Sequence, residues 1–212
     1  MRNSKRRLVL VDAAIEVLAD QGARGLTFRA VDARAGVPAG TTSNYFSSRD
    51  ELFTQAGGRI YQRLAPDPAT LARSVTGPRD RQRVVELVRE LTERIGAYRT
   101  GYLALLELRL EATRRPALRQ VLTATVRADL EATIAYHVDT GLPGDATTAV
   151  LLYLALNWLV LEQLTLPEVL PGLTGPDTDA IVASVVQRIL EAIPEQSPAA
   201  APRNAADFIR PR

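Results

Sequence analysis

Thr41, Thr42, Ser43, Asn44 and Tyr45 form an unbroken run of hydroxyl and amide side chains that closes on Phe46. Side chains of this size and chemistry suit the edges of base pairs. An asparagine amide pairs bidentately with adenine, a serine hydroxyl serves either base edge, and an alanine or threonine methyl meets the thymine methyl. Ser43 and Asn44 are therefore the candidate base readers, and Ala39 and Thr41 the candidate methyl contacts. The hydroxyls of Thr27, Thr41 and Tyr45 and the charge of Arg49 suit phosphate oxygens, which set register without reading sequence. Arg29 suits a base or a phosphate. Gly40 either permits close approach of the backbone to phosphate or serves packing. Thr27 also suits a helix cap, and Asn44 also suits plain solvent exposure.

Other chemistries are poorly supplied. With no cysteine and one histidine, thiolate nucleophiles, disulfides and His-rich metal sites are excluded. No glycine-rich phosphate loop is present. Glu107 and Glu111 lie one turn apart, but Arg109, Arg114 and Arg115 beside them mark a charged outer face rather than an acid–base pair. The reading therefore contains no catalytic residue, no metal ligand and no cofactor.

Charge distribution supports a polyanion partner at one end. Residues 1–49 hold eight basic and four acidic side chains, so this quarter carries +4 of a chain whose net charge is +2. Arg2, Lys5, Arg6 and Arg7 open the chain and suit phosphate or minor-groove contact, or a frayed tail.

The elements that position these residues read as helices throughout. Leu8, Val11, Ile15 and Leu18 form one apolar stripe that ends at Gln21-Gly22. Thr27 opens a short second helix through Phe28, Val31 and Ala35. Gly36-Val37 makes a tight turn, and Pro38 suits the first turn of a third helix that carries Thr41–Phe46. Ser48-Arg49-Asp50-Glu51 has capping-box spacing and opens a fourth helix to Leu64. Two short helices around a tight turn, the second polar outside and apolar inside, make a helix-turn-helix. Residues 66–78 read as a connection. Further helices follow over Arg81–Tyr98, Leu103–Leu110, Leu118–Ile134, Asp145–Leu166 and from Asp177 or Thr178 to Leu190. Pro167, Pro171 and Pro176 mark a second connection.

The segment Leu26–Leu52 (LTFRAVDARAGVPAGTTSNYFSSRDEL) resembles the signature of the TetR family of regulators. The threonine opening helix two, the Gly36-Val37 turn, Gly40-Thr41, the aromatic Tyr45 before Phe46 and the Ser48-Arg49-Asp50-x-Leu52 start of helix four carry the likeness. It covers roughly residues 5–55. The family often has Leu-Tyr where Thr42-Ser43 stand.

The resemblance implies an all-α protein of about nine helices. A three-helix DNA-binding domain spans residues 1–48 and a helical regulatory and dimerisation domain residues 49–193, while the Pro- and Ala-rich composition of residues 194–212 predicts a disordered tail. The Asp145–Leu166 helix is apolar nearly all round, which predicts burial on two sides, one of them a second subunit. Leu152, Leu156, Leu159, Val160 and Gln163, with Ile181, Val185 and Ile189 of the last helix, are the expected homodimer contacts. Two-fold symmetry then predicts an inverted-repeat operator on double-stranded DNA. Tyr98, Tyr102, Glu107, Tyr136, His137, Asn157 and Trp158 stand near apolar stripes and are the candidate lining of a pocket for an unidentified small-molecule effector. The family implies a repressor in which effector binding shifts the fourth helices, through a coupling of ~1–3 kcal/mol, and misplaces the recognition helices. The alternative is a regulator that takes no ligand or answers to a protein partner. Enzymes and non-specific architectural DNA binders are the remaining competing readings. The Ala149–Leu161 run carries Asn157 and falls short of the ~20 residues a membrane helix needs, so the expected location is the cytoplasm.

Overall fold

The computed structural model describes residues 2–170 and 178–192. Nine α-helices, one 3₁₀ turn and no strand occur among the described residues. The helices are α1 (Arg2–Gly25), α2 (Phe28–Arg34), α3 (Arg49–Leu64), α4 (Pro68–Ser74), α5 (Arg81–Ala97), α6 (Arg99–Ala112), α7 (Pro116–Asp139), α8 (Ala146–Thr165) and α9 (Thr178–Glu191), with the 3₁₀ turn at Thr42–Asn44. The expected tail and the expected cap at Asp177 lie outside the described residues.

Two compact units are present. The first comprises Met1–Ala65 and Tyr98–Arg127, the second Pro66–Ala97 and Ala128–Arg212. The expected DNA-binding head is thus one part of a larger unit that includes α3, α6 and the first half of α7.

In the first unit α1 is the central helix. It packs on α2, α3 and α6, and its buried face is Leu10, Val11, Ala14, Ile15, Val17 and Leu18. Leu8, expected in this stripe, is 43% exposed, because the buried face begins at Leu10. Val31, Phe46, Leu52, Phe53 and Ile60 join the same core, with Phe28, Ala35 and Val37 half-buried against it. Gly22 breaks α1 with φ 67°, and its last turn carries the chain toward α2.

In the second unit α9 packs on α5 and α8, and α5 on α8. Val84, Leu152, Leu159, Val182, Val186 and Leu190 form the core. Asp145 and Thr148 exchange side-chain-to-backbone bonds in a full capping box at the start of α8. The expected connection over 66–78 contains α4, because Asp67 caps it through Thr70 N and Pro68 suits its first turn. α8 fills nearly all of the expected Asp145–Leu166 helix, and its twenty residues, not only the Ala149–Leu161 run, are long and apolar enough by composition to cross a membrane. Leu152, Leu156, Leu159 and Val160 of this helix are nevertheless buried within the protein.

Candidate DNA-binding face

The face is built from α2, the segment 36–47 and the start of α3. Thr27 Oγ1 accepts Ala30 N at 3.1 Å and so caps α2. The helix ends at Ala35, and Gly36 turns the chain with φ 64°. Gly40 also has a positive φ of 85°, and nothing lies within 4 Å of the position its Cβ would take. Backbone conformation, not packing, is what requires glycine there.

The element expected as a third helix is a tighter structure. Its regular part is the 3₁₀ turn at Thr42–Asn44, with Tyr45 N and Phe46 N both donating to Thr42 O at 3.0 Å. Local side-chain bonds favour this tight geometry over a continuing helix. Thr41 Oγ1 donates to Pro38 O at 2.6 Å, and Ser43 Oγ donates to Gly40 O at 2.8 Å. Thr42 and Phe46 are buried, Ala39, Gly40, Ser43 and Asn44 are exposed, and Thr41 and Tyr45 are half-buried. Arg29 is exposed and makes no ion pair among the described residues. The expected inside-outside division therefore holds although the helix is shorter than expected.

Three residues hold this segment, and of these Asp32 carries no role in the sequence expectations while Arg7 and Glu51 take roles other than the expected ones. Asp32 is 2% exposed, and its carboxylate accepts Gly40 N at 2.7 Å, Thr42 N at 2.7 Å and Thr42 Oγ1 at 2.5 Å. Burial pushes its pKa upward, but the bonds from Thr42, Gly40 and Thr41 outweigh burial and leave it below the usual aspartate value. Arg7, expected near phosphate, instead donates to Tyr45 O and to Glu51 Oε1, each at 2.5 Å, with its guanidinium 4.4 Å from the centre of the Phe46 ring. Glu51 completes the clamp. Ser48 Oγ accepts Glu51 N at 3.1 Å as a capping box requires, but the Glu51 carboxylate accepts Ser47 N and Ser47 Oγ, both at 2.8 Å, one residue earlier than expected. The Ser47 amide, followed by Arg7, lowers the Glu51 pKa to about 2.

Arg49 is also partly committed. Its guanidinium donates to Ala23 O at 2.8 Å and lies 5.7 Å from the Phe53 ring centre. It ties α3 to the end of α1, a task that sequence spacing does not reveal. Lys5, Arg6, Arg24 and Arg29 are exposed and keep their charges outside any ion pair among the described residues.

The residues offered for an effector pocket fall in different units. In the first, the Tyr98 ring lies 4.0 Å from the Arg63 guanidinium carbon, Tyr102 is buried, and Glu107 Oε2 accepts Ala23 N at 3.0 Å. In the second, Tyr136 OH donates to Ser74 O at 2.8 Å, and Asn157 Nδ2 donates to Tyr153 O at 2.8 Å. His137 Nε2 lies 2.9 Å from Pro143 O, an acceptor only, so this nitrogen carries the proton. Trp158 is 64% exposed. A cavity of about 10 Å³ lies between α5, α8 and α9, lined by Val88, Leu152, Leu156, Leu159, Val182 and Val186 among others. It has the volume of one water, and none of the seven offered residues lines it.

The residues offered for dimer contact also separate. Leu152, Leu156, Leu159 and Val160 are already buried in the protomer, which removes them from any surface open to a second subunit. Gln163, Ile181, Val185 and Ile189 are half-exposed. The exposed apolar stripe of α8 is instead Leu151, Leu154 and Trp158.

Comparison with known proteins bears on both units. Residues 10–56 match the family model described as bacterial regulatory proteins, tetR family, and residues 79–192 match the tetracyclin repressor-like C-terminal domain. The HTH-type transcriptional regulator BetI of Rhizobium meliloti (strain 1021) is 32% identical over 76 residues, which are 36% of this chain and 37% of that protein. The chain thus spans little more than a third of that curated relative in the match. A TetR-family structure from Streptomyces coelicolor A3 (SCO1917) is 32% identical, with 87% of this chain and 98% of the other covered and a TM-score of 0.65. The multidrug binding protein EbrR complexed with ethidium is 32% identical over the same shares, with a TM-score of 0.58.

Proposed function

The chain belongs to the TetR family of transcriptional regulators, and from that premise we propose that it is a dimeric repressor released from an inverted-repeat operator by a small-molecule effector. The observation that carries the DNA-binding part is the segment 40–46. Ser43 and Asn44 stand exposed on a turn whose other side, Thr42 and Phe46, is buried in the core. Asn44 reads adenine, Ser43 reads a neighbouring base edge, and Ala39 and Thr41 meet thymine methyls. Arg29, Thr27, Tyr45, Lys5, Arg6 and Arg24 bind phosphate and set register. Gly40 brings the backbone close to the groove. Arg49 acts chiefly by anchoring α3 to α1.

The second copy docks on the exposed stripe Leu151, Leu154 and Trp158, extended by the half-exposed Gln163, Ile181, Val185 and Ile189. An exposed apolar stripe of this kind favours association. The regulator works where the DNA is, in the cytoplasm, and inserts in no membrane.

The effector part draws on EbrR, which was solved with ethidium, proflavin and malachite green. Its likeness to this chain supports an aromatic effector. Tyr98, Tyr102 and Glu107 within the first unit, and Tyr136, His137 and Asn157 within the second, are the candidate contributors, each group taken by itself. The small size of the cavity between α5, α8 and α9 favours a second reading, a regulator that takes no ligand. Thermal shift with ethidium, followed by its effect on operator binding, separates the two. A rise in melting temperature with release of DNA supports the effector reading. Tight ethidium binding that leaves operator affinity unchanged contradicts it.

A further inference from the structure

We propose that Asp32 is a positioning residue for base reading, its carboxylate determining which side chains of the 40–44 turn face the DNA groove. The inference rests on the reading of that turn as the base-reading element. A regular recognition helix keeps its outward side chains in phase through its own backbone bonds. Here the regular part is only three residues, Thr42–Asn44. A turn this short has too few bonds to hold its own orientation.

Asp32 supplies the missing constraint from α2. Its two oxygens bind the main chain at Gly40 N and Thr42 N, on either side of Thr41, and also bind the Thr42 hydroxyl. Two main-chain points fix position, and the hydroxyl fixes rotation. With Thr42 drawn inward, Ser43 and Asn44 must turn outward. Rotation of the turn would strip a buried carboxylate of its donors, which is costly. Arg7 holds the far end of the turn through Tyr45 O. The Asn44 amide needs this rigidity, because bidentate pairing tolerates little rotation.

The test uses the full-length protein and a duplex that it enriches from random DNA, with a scrambled duplex beside it. Asp32→Asn should weaken binding to the selected duplex by about 10- to 100-fold, as loss of charged acceptor bonds implies. Scrambled DNA should bind within about twofold of wild type, because that term comes from phosphate contacts. Thr42→Val keeps the carboxylate and both amides, so it should lose up to about tenfold in the same selective way. It decides the matter if Asp32→Asn fails to fold. A folded variant with wild-type discrimination, or one that loses both duplexes in parallel, overturns the proposal. A wild-type protein that enriches no duplex overturns the regulator reading itself, which is a distinguishable result.

Discussion

The Glu107 carboxylate accepts the Ala23 amide at 3.0 Å and so closes the break in α1 at Gly22. This one bond joins α6 to the turn that leads into α2. Ala23 is 5% exposed, so its amide has little water to turn to. Glu107→Ala should cost about 1–3 kcal/mol in urea unfolding, and Glu107→Gln, which keeps an acceptor, distinctly less. Gly22→Ala should cost about 1–3 kcal/mol from its backbone alone, because φ 67° with ψ −178° lies in a region essentially reserved for glycine, and its Cβ would also stand 3.1 Å from Glu107 Oε2. A Glu107→Ala variant as stable as wild type would remove this carboxylate from the structural account.

His137 makes the second unit sensitive to mild acid. Burial lowers its pKa below the usual 6.5, against the opposing effects of Pro143 O and Asp145. The unfolded chain therefore takes up a proton at higher pH than the folded chain does. Stability is full above pH about 6.5 and declines as pH falls from there toward the folded pKa. Melting temperature measured between pH 8 and 5 should drop across the acid half of that range. His137→Gln, whose amide can still donate to Pro143 O, should flatten the decline. An unchanged slope in that variant would assign the acid sensitivity to other groups.

Local chemistry was legible in the sequence, and contacts across the chain were not. Thr27, Ser48 and Asp145 cap their helices through bonds three residues away, a spacing that sequence displays directly. The hydrophobic stripe of α1 and the inward Phe46 followed from periodicity. Asp32 escaped notice because its donors lie eight and ten residues on, across a turn whose geometry is not visible in residue types. Arg7 looked like one more base in a basic tail, and its partner Glu51 is 44 residues away. On α8 the apolar residues surround the helix, so periodicity sets no phase. Residue types alone point to Leu152, Leu156, Leu159 and Val160 for the dimer, whereas Leu151, Leu154 and Trp158 face outward.

That outward stripe gives the dimer an internal reporter. Trp158 is the one tryptophan in the chain and is 64% exposed. If a second copy covers it, its emission should shift to the red on dilution, as dissociation returns the indole to water. Trp158→Arg should weaken association by at least about 2 kcal/mol, the scale of a buried aromatic contact at an interface. Sedimentation checks the mass directly. A single-subunit mass at all concentrations, with constant Trp158 emission, would contradict the proposed interface.

Base reading by Asn44 is the central claim, and fluorescence anisotropy tests it most directly. Wild type and Asn44→Ala are titrated with DNA from upstream of the protein's own gene and with a scrambled duplex, across a range of salt. The account predicts two chains per site and preference for the upstream duplex. Asn44→Ala should reduce that preference by about 1–3 kcal/mol, the worth of one bidentate base contact, with the salt slope unchanged because no phosphate contact is lost. Equal affinity of a folded, dimeric wild type for both duplexes, persisting against DNA selected from a random pool, would contradict it.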